Sequence, residues 1–229
     1  MKRILVISDL HLTHTFEKKK FEYLKRKLSE YDHVIINGDF WDNWFTTFDK
    51  FVNSKWKELF PLLKEKNCVY VSGNHDPIFE IDERHSLFSN TLTEQHEVNF
   101  HDNEYVFVHG NEYLKEAYQG FIGLYSKVIQ FLEKTFFKSI IYNIMHILER
   151  IGYFLSKKEM INSKIGRTLN ERFIERYGRD TDRWVIFAHT HTSMVDRRRR
   201  FANAGCIINR TASYLEINDE GIKVIQENY

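Results

Sequence analysis

The sequence predicts an α/β protein built on a largely parallel sheet, with an antiparallel hairpin and a long helical insertion. Three observations carry this. Short apolar runs alternate with amphipathic stretches in the first third of the chain, two alternating runs follow, and residues 120–177 have a helical pattern throughout. At 229 residues, with 42% hydrophobic and 28% charged side chains, the chain suits one soluble domain with a sizeable core. A formal net charge of +1 argues against a polyanion binder. Cys68 and Cys206 lie in apolar runs and predict buried thiols in a reducing compartment. Asp9 and His11 cut short the apolar start, whereas a secretory core needs ~7–15 residues. The expected location is therefore cytoplasmic.

Residues 3–8 form the first apolar run, the pattern of a strand buried on both faces. Phe21, Leu24 and Leu28 recur at helical spacing over 16–29. Val34-Ile35-Ile36 is a second strand, followed by a helical stretch through Trp56 to Leu63. Cys68-Val69-Tyr70-Val71 is a third strand. This β-α-β-α-β order favours right-handed parallel crossovers. Residues 94–109 form a hairpin turning at His101-Asp102-Asn103, and Trp184-Val185-Ile186-Phe187 is a further strand. Short strands near 201–204, 213–217 and 222–226 close the chain.

Five of these strands end in polar clusters: Asp9-x-His11, Gly38-Asp39-x-x-Asp42, Gly73-Asn74-His75-Asp76, His109-Gly110 and His189-x-His191. Gly-Asp after a single strand is ordinary turn chemistry. Five such ends in one chain point instead to a shared site, since ligands of α/β sheets gather beyond the carboxyl ends of the strands. In extended backbone, residues i and i+2 point the same way, so each D-x-H or H-x-H pair is expected to offer two ligands to one point. Carboxylate, imidazole and amide donors suit Mn, Fe, Zn or Ni, and the lack of thiolate argues against a structural zinc site.

These blocks, in this order, resemble those of the calcineurin-like metallophosphoesterase superfamily: D-x-H, G-D-x-x-D, G-N-H-D, a lone His and G-H-x-H. Ala188 stands where the last block usually has Gly. The resemblance implies a layered α/β sandwich of mixed β-sheets flanked by helices, forming a single domain over 1–229 with a helical cap insertion at 114–180. It also implies two divalent metal ions, with Mn2+ the first expectation. Asp9, His11, Asp39 and His191 would hold one, and Asp39, Asn74, His109 and His189 the other, with Asp39 bridging. A shared carboxylate fixes two cations ~3.5–4 Å apart, and a hydroxide bridging them attacks phosphorus in line. His75 would protonate the leaving oxygen, and Asp42 would orient His75.

The insertion bears on substrate. From Gly120 to Leu155 an apolar stripe wider than one helix face includes Phe121, Leu132, Phe136, Ile140 and Ile151. Its uncharged stretch Ser139–Leu148 falls far short of the ~20 residues that span a bilayer. Such surface packs on its own domain, or meets acyl chains, the inner face of a membrane as a peripheral contact, or a second copy as a homodimer. Between Ser156 and Arg200 there are 12 Lys and Arg against 6 Asp and Glu. Arg197, Arg198, Arg199 and Arg200 among them are candidates to receive a phosphate.

A basic, apolar cap is similar to that of the UDP-2,3-diacylglucosamine hydrolases, which implies a lipid-linked or nucleotide-linked diphosphate substrate. That subgroup carries arginine at the position of His75 and aspartate at that of Asn111. His75 fits equally with the phosphodiesterase and nuclease branch, although nucleic acid is the less favoured partner because little chain remains for a DNA-capping domain. A non-catalytic scaffold would be expected to lack ligands, and here none is missing.

Overall fold

The computed structural model describes residues 2–114, 163–178 and 181–229. Most of the expected insertion, residues 115–162, lies outside them, as does its apolar stripe.

Two sheets stack face to face. The first has the order β10-β11-β1-β2-β3-β4, with β12 also paired to β11. Its strands are β1 (Ile4–Ile7), β2 (His33–Asn37), β3 (Val69–Val71), β4 (Thr91–Thr93), β10 (Ile207–Ile208), β11 (Thr211–Asn218) and β12 (Gly221–Asn228). Strands β1 to β4 are mutually parallel, and β11 joins β1 antiparallel. The second sheet, β5-β6-β7-β9-β8, contains β5 (Gln95–Phe100), β6 (Asn103–Val108), β7 (Trp184–Phe187), β8 (Met194–Asp196) and β9 (Phe201–Asn203). There the β5–β6 hairpin is antiparallel, while β6, β7 and β9 run parallel.

The continuous apolar runs are explained by burial on both faces. Ile4, Val6 and Ile35 of the first sheet meet Tyr105, Phe107 and Ile186 of the second. The alternate residues Leu5, Ile7, Val34 and Ile36 face helices instead. Those helices are α1 (Lys18–Ser29), α2 (Phe48–Val52) and α3 (Phe60–Glu65). On the far side of the second sheet, Val106, Val185 and Phe187 pack against Leu169, Phe173 and Ile174 of α4 (Lys164–Tyr177). Phe173 and Phe187 stack at 4.0 Å with 8° between ring planes. The result is a four-layer α/β/β/α sandwich, so the expected class of mixed sheets flanked by helices holds. Each large side chain fully buried here contributes roughly 1.5–3 kcal/mol.

One local expectation is revised. The stretch through Trp56 to Leu63 is not one helix: a 3-10 turn, Lys55–Leu59, precedes α3, whose first turn holds Pro61. Proline has no N–H with which to carry a helical ladder across that junction. The helix α4, at the end of the expected insertion, packs as an outer layer on the second sheet. Among the described residues no helix is long and apolar enough to cross a membrane.

Candidate metal centre

The parallel strands β1, β2, β3, β6 and β7 all deliver their polar clusters to one end of the sandwich. Asn37, the last residue of β2, ties the two sheets together there. Its side-chain amide donates to Val108 O at 3.1 Å and lies 3.3 Å from Ile186 O, while its own carbonyl accepts from His109 Nδ1 at 3.0 Å. That contact uses Nδ1 and turns His109 Nε2 inward, to 3.2 Å from Asp39 Oδ2 and 3.2 Å from Asn74 Oδ1.

Two donor groups form. Asp9, His11 and His191 gather on one side, and Asp39, His109 and His189 on the other; His11 and Asp39 also meet His75. His191 Nε2 lies 3.1 Å from Asp9 Oδ1 and 3.3 Å from His11 Nε2. Asp39 Oδ2 faces both groups, 3.9 Å from His11 Nε2 as well as 3.2 Å from His109 Nε2. The H-x-H pair therefore serves two points and not one, which corrects the expectation from extended backbone. Its basis was wrong too. Asp9, His11, Asp39, His189 and His191 all have positive φ, between 47° and 67°, a left-handed conformation that side chains with a Cβ rarely adopt. Tight kinks, and not strand alternation, aim these side chains. Ala188 is not among the positive-φ residues, so alanine fits where the resembling families carry glycine.

The glycines flanking the cluster are spacers. A Cβ on Gly38, itself at φ +87°, would lie 2.1 Å from His109 Nδ1, and one on Gly73 would lie 2.3 Å from Asp39 Oδ1. Asp76, in sequence only an acidic neighbour of His75, proves to be the pin of this loop pair. It is fully buried and accepts from the backbone N–H of Asp39 at 3.0 Å and of Phe40 at 2.6 Å, and also from Gly73 N–H and the Tyr70 hydroxyl. A carboxylate at the end of a G-N-H-D block, followed by proline, was the available signal.

His75 sits at the edge of the cluster. Asp42 Oδ1 contacts its Nδ1 at 3.1 Å, and Asp42 Oδ2 is 3.4 Å from His11 Nδ1. Asn43 N–H donates to His75 O at 2.8 Å, and Trp44, which the sequence did not single out, covers the imidazole at 4.1 Å between ring centroids. Burial opposes a charge on His75, but Asp39 and the Asp42 hydrogen bond outweigh it and push its pKa up to about 9. His109 is likewise pushed up to about 10 against burial, by Asp39. His189 moves the other way, down to about 3, through burial and the neighbouring His109. Asp39 is held well below the usual carboxylate range despite burial, by His109 and His75.

Arg197–Arg200 are not brought to this cluster. They form the turn between β8 and β9, and β9 runs parallel to β7 with Val185 opposite Phe201 and Phe187 opposite Asn203. The turn therefore lies beyond the start of β7, whereas His189 and His191 follow its end. Arg199 is engaged by Asp196 at 2.6 Å and Glu171 at 2.8 Å, Arg197 donates to Ile222 O at 3.0 Å, and Arg200 donates to Asp182 O. Strand direction thus gives no geometric support to a phosphate-receiving role there.

The donors suit divalent cations. All are nitrogen or oxygen, and Asp9 Oδ1 is a buried carboxylate oxygen whose near neighbour, His191 Nε2 at 3.1 Å, is itself one of the gathered donors, so a cation between them would serve both.

A family model described as calcineurin-like phosphoesterase matches residues 2–193. No curated protein matches the chain. Among solved structures it is similar to an archaeal phosphodiesterase, at 14% identity and a TM-score of 0.48, covering 98% of this chain and 99% of that one. It is similar to YfcE, a phosphoesterase from E. coli, at 13% identity and a TM-score of 0.48, covering 99% and 98%. Vacuolar protein sorting 29 from Cryptosporidium parvum is similar at 14% identity and a TM-score of 0.44, covering 100% and 97%. These three likenesses are distant and say nothing of substrate.

Proposed function

Because this chain belongs to the calcineurin-like phosphoesterase family, we propose that it is a dinuclear-metal hydrolase of phosphodiester or diphosphate bonds. The observation that carries this is Asp39 Oδ2, which faces donors of both groups. Asp9, His11, Asp39 and His191 would hold one cation; Asp39, Asn74, His109 and His189 would hold the second. When bound, such cations neutralise phosphate charge and supply a water acidic enough to attack near neutral pH.

The chain's own residues do the rest. Asp42 contacts His75 at Nδ1, leaving Nε2 as the nitrogen that would give a proton to the leaving oxygen as the P–O bond breaks. Asn43 and Trp44 hold the ring from its backbone and its face. Asp76 fixes the two loops that carry Asp39 and Asn74, so that the distances survive binding and turnover.

The finer reading is a lipid-linked or nucleotide-linked diphosphate such as UDP-2,3-diacylglucosamine. It is supported by the apolar insertion, treated as a cap at 114–180, and by Phe79, 82% exposed on the segment that follows His75. A phosphodiesterase acting on water-soluble diesters is the alternative, favoured by a histidine at position 75. Contact with an anionic membrane or with a second copy would use the same insertion.

One experiment tests the class and ranks the substrates. Purified protein with Mn2+ is assayed on bis(4-nitrophenyl) phosphate, on a phosphate monoester and on UDP-diacylglucosamine. Turnover of the diester or the diphosphate that disappears in Asp39→Asn is the expected result. Absence of both bound metal and turnover would overturn the reading, and equal rates on acylated and soluble substrates would remove the lipid arm.

A further inference from the structure

We propose that Asn170, on α4, is a positioning residue of the metal centre: it clamps the loop that carries His189 and His191 by gripping the residues that flank them. The proposal rests on the reading that those two histidines hold cations.

Asparagine in the middle of a helix is disfavoured, and a buried one must find partners. Asn170 is 2% exposed, and its side chain is spent on the neighbouring loop and not on its own helix. Its Nδ2 donates to Thr192 O at 2.9 Å, and its Oδ1 accepts from Thr190 Oγ1 at 2.7 Å and from Asn203 Nδ2 at 3.1 Å. Thr192 O accepts only, so the amide orientation is set by the network. Asn203 extends the clamp: its Nδ2 reaches Ala188 O at 3.1 Å and Thr190 Oγ1 at 2.9 Å, and its Oδ1 accepts from Gly205 N–H at 2.8 Å.

The pattern along the loop is regular. Residues 188, 190 and 192 are each held by Asn170 or Asn203, while 189 and 191 between them belong to the two donor groups. The two histidines are also those in left-handed conformation, at φ 67° and 58°. That conformation is unfavourable for a residue with a Cβ, so something must hold the kinks against relaxation. Asn170 and Asn203 grip the intervening positions and supply that hold. Contact between α4 and the loop is close: a Cβ on Gly166, one turn before Asn170, would lie 1.8 Å from Thr192 Oγ1. Sequence alone could not single out Asn170, because it is one polar residue in a helix rich in them.

A merely structural asparagine would alter stability and leave cation affinity alone, so affinity is the deciding measurement. Metal-free protein is titrated with Mn2+ by calorimetry, alongside thermal unfolding, for wild type, Asn170→Leu, Thr190→Val, Thr190→Ser and Phe173→Leu. Loss of a residue that orients ligands weakens metal binding by roughly 10- to 100-fold. Asn170→Leu and Thr190→Val are expected to weaken Mn2+ binding on that scale, with Thr190→Ser close to wild type. Phe173→Leu loosens α4 without touching the network and should lower the melting temperature at unchanged affinity. Wild-type affinity in folded Asn170→Leu and Thr190→Val overturns the proposal, as does equal weakening in Phe173→Leu. If Asn170→Leu does not fold, the Thr190→Val and Thr190→Ser pair decides. A wild-type protein that binds no Mn2+ overturns the metal-centre reading itself, and this inference with it.

Discussion

Asp42 stands between two histidines, with Oδ1 3.1 Å from His75 Nδ1 and Oδ2 3.4 Å from His11 Nδ1. One carboxylate thus joins the proposed proton donor to the proposed cation site. In metal-free protein the His75 imidazole is expected to titrate near pH 9, as read by NMR, and at lower pH in Asp42→Asn, which removes a partner of the charged form. Added cations repel imidazolium, so in loaded enzyme the pH above which rate falls lies below 9. His75→Ala should slow substrates with alkoxide leaving groups by roughly 10²–10⁴-fold and spare 4-nitrophenolate, which needs no proton. Equal losses on both substrates would remove the proton-donor role.

Gly38→Ala meets two penalties at once, a left-handed backbone and a Cβ 2.1 Å from the His109 ring. Together these predict a loss of about 2–5 kcal/mol in urea unfolding. Gly73→Ala carries no left-handed penalty, but its Cβ would lie 2.3 Å from Asp39 Oδ1 and 2.7 Å from the Asp39 backbone nitrogen, so it should lower stability and weaken Mn2+ binding together.

Removing Asp76 strands three buried backbone donors and the Tyr70 hydroxyl. Each unsatisfied group costs about 1–3 kcal/mol, so Asp76→Ala should lose at least ~3 kcal/mol and lower metal affinity as the loops relax. Tyr70→Phe removes one donor only and is expected to cost roughly 1 kcal/mol. A stable, fully active Asp76→Ala would contradict the pinning role.

Lys20 on α1 is 3% exposed and donates to Leu10 O, and burial lowers its pKa from 10.5 to about 8. Between those pH values the unfolded chain keeps a proton that the folded protein has lost, so stability rises with pH across the window. The gain amounts to about 3 kcal/mol over the full interval. Below pH 8 both states are protonated and the slope vanishes. The difference between wild type and Lys20→Met in urea unfolding from pH 7 to 10.5 isolates this contribution. A flat difference would contradict it.

The architecture was legible because burial on both faces leaves a plain mark. Ile4–Ile7 and Trp184–Phe187 are apolar at every position since alternate residues meet different layers. The five polar strand ends were legible for the same reason, as abrupt changes of chemistry. What sequence could not carry was direction and backbone conformation. The parallel pairing of β9 with β7, which sends Arg197–Arg200 to the far end, depends on pairing across the chain. The left-handed turns at Asp9 and His11 are uncommon for any residue with a Cβ, even though Asp and His adopt them more often than most, so propensity alone does not locate them. Trp44 and Asn170 matter through contacts that their neighbours in sequence do not foreshadow.

Those left-handed residues set the protein's working needs against its folding preferences. Glycine would accept the same backbone at Asp9, His11, Asp39, His189 and His191 without the ~1–2 kcal/mol that each non-glycine residue forfeits. Where that relief exceeds the contacts the side chain makes, selection for thermal tolerance alone, in the absence of metal, would favour glycine. A variant that melted later by this route would have lost a proposed cation ligand. Stability gained by such a route is a warning sign in any engineered descendant of this chain, and retention of divalent-cation binding is the property to select alongside it.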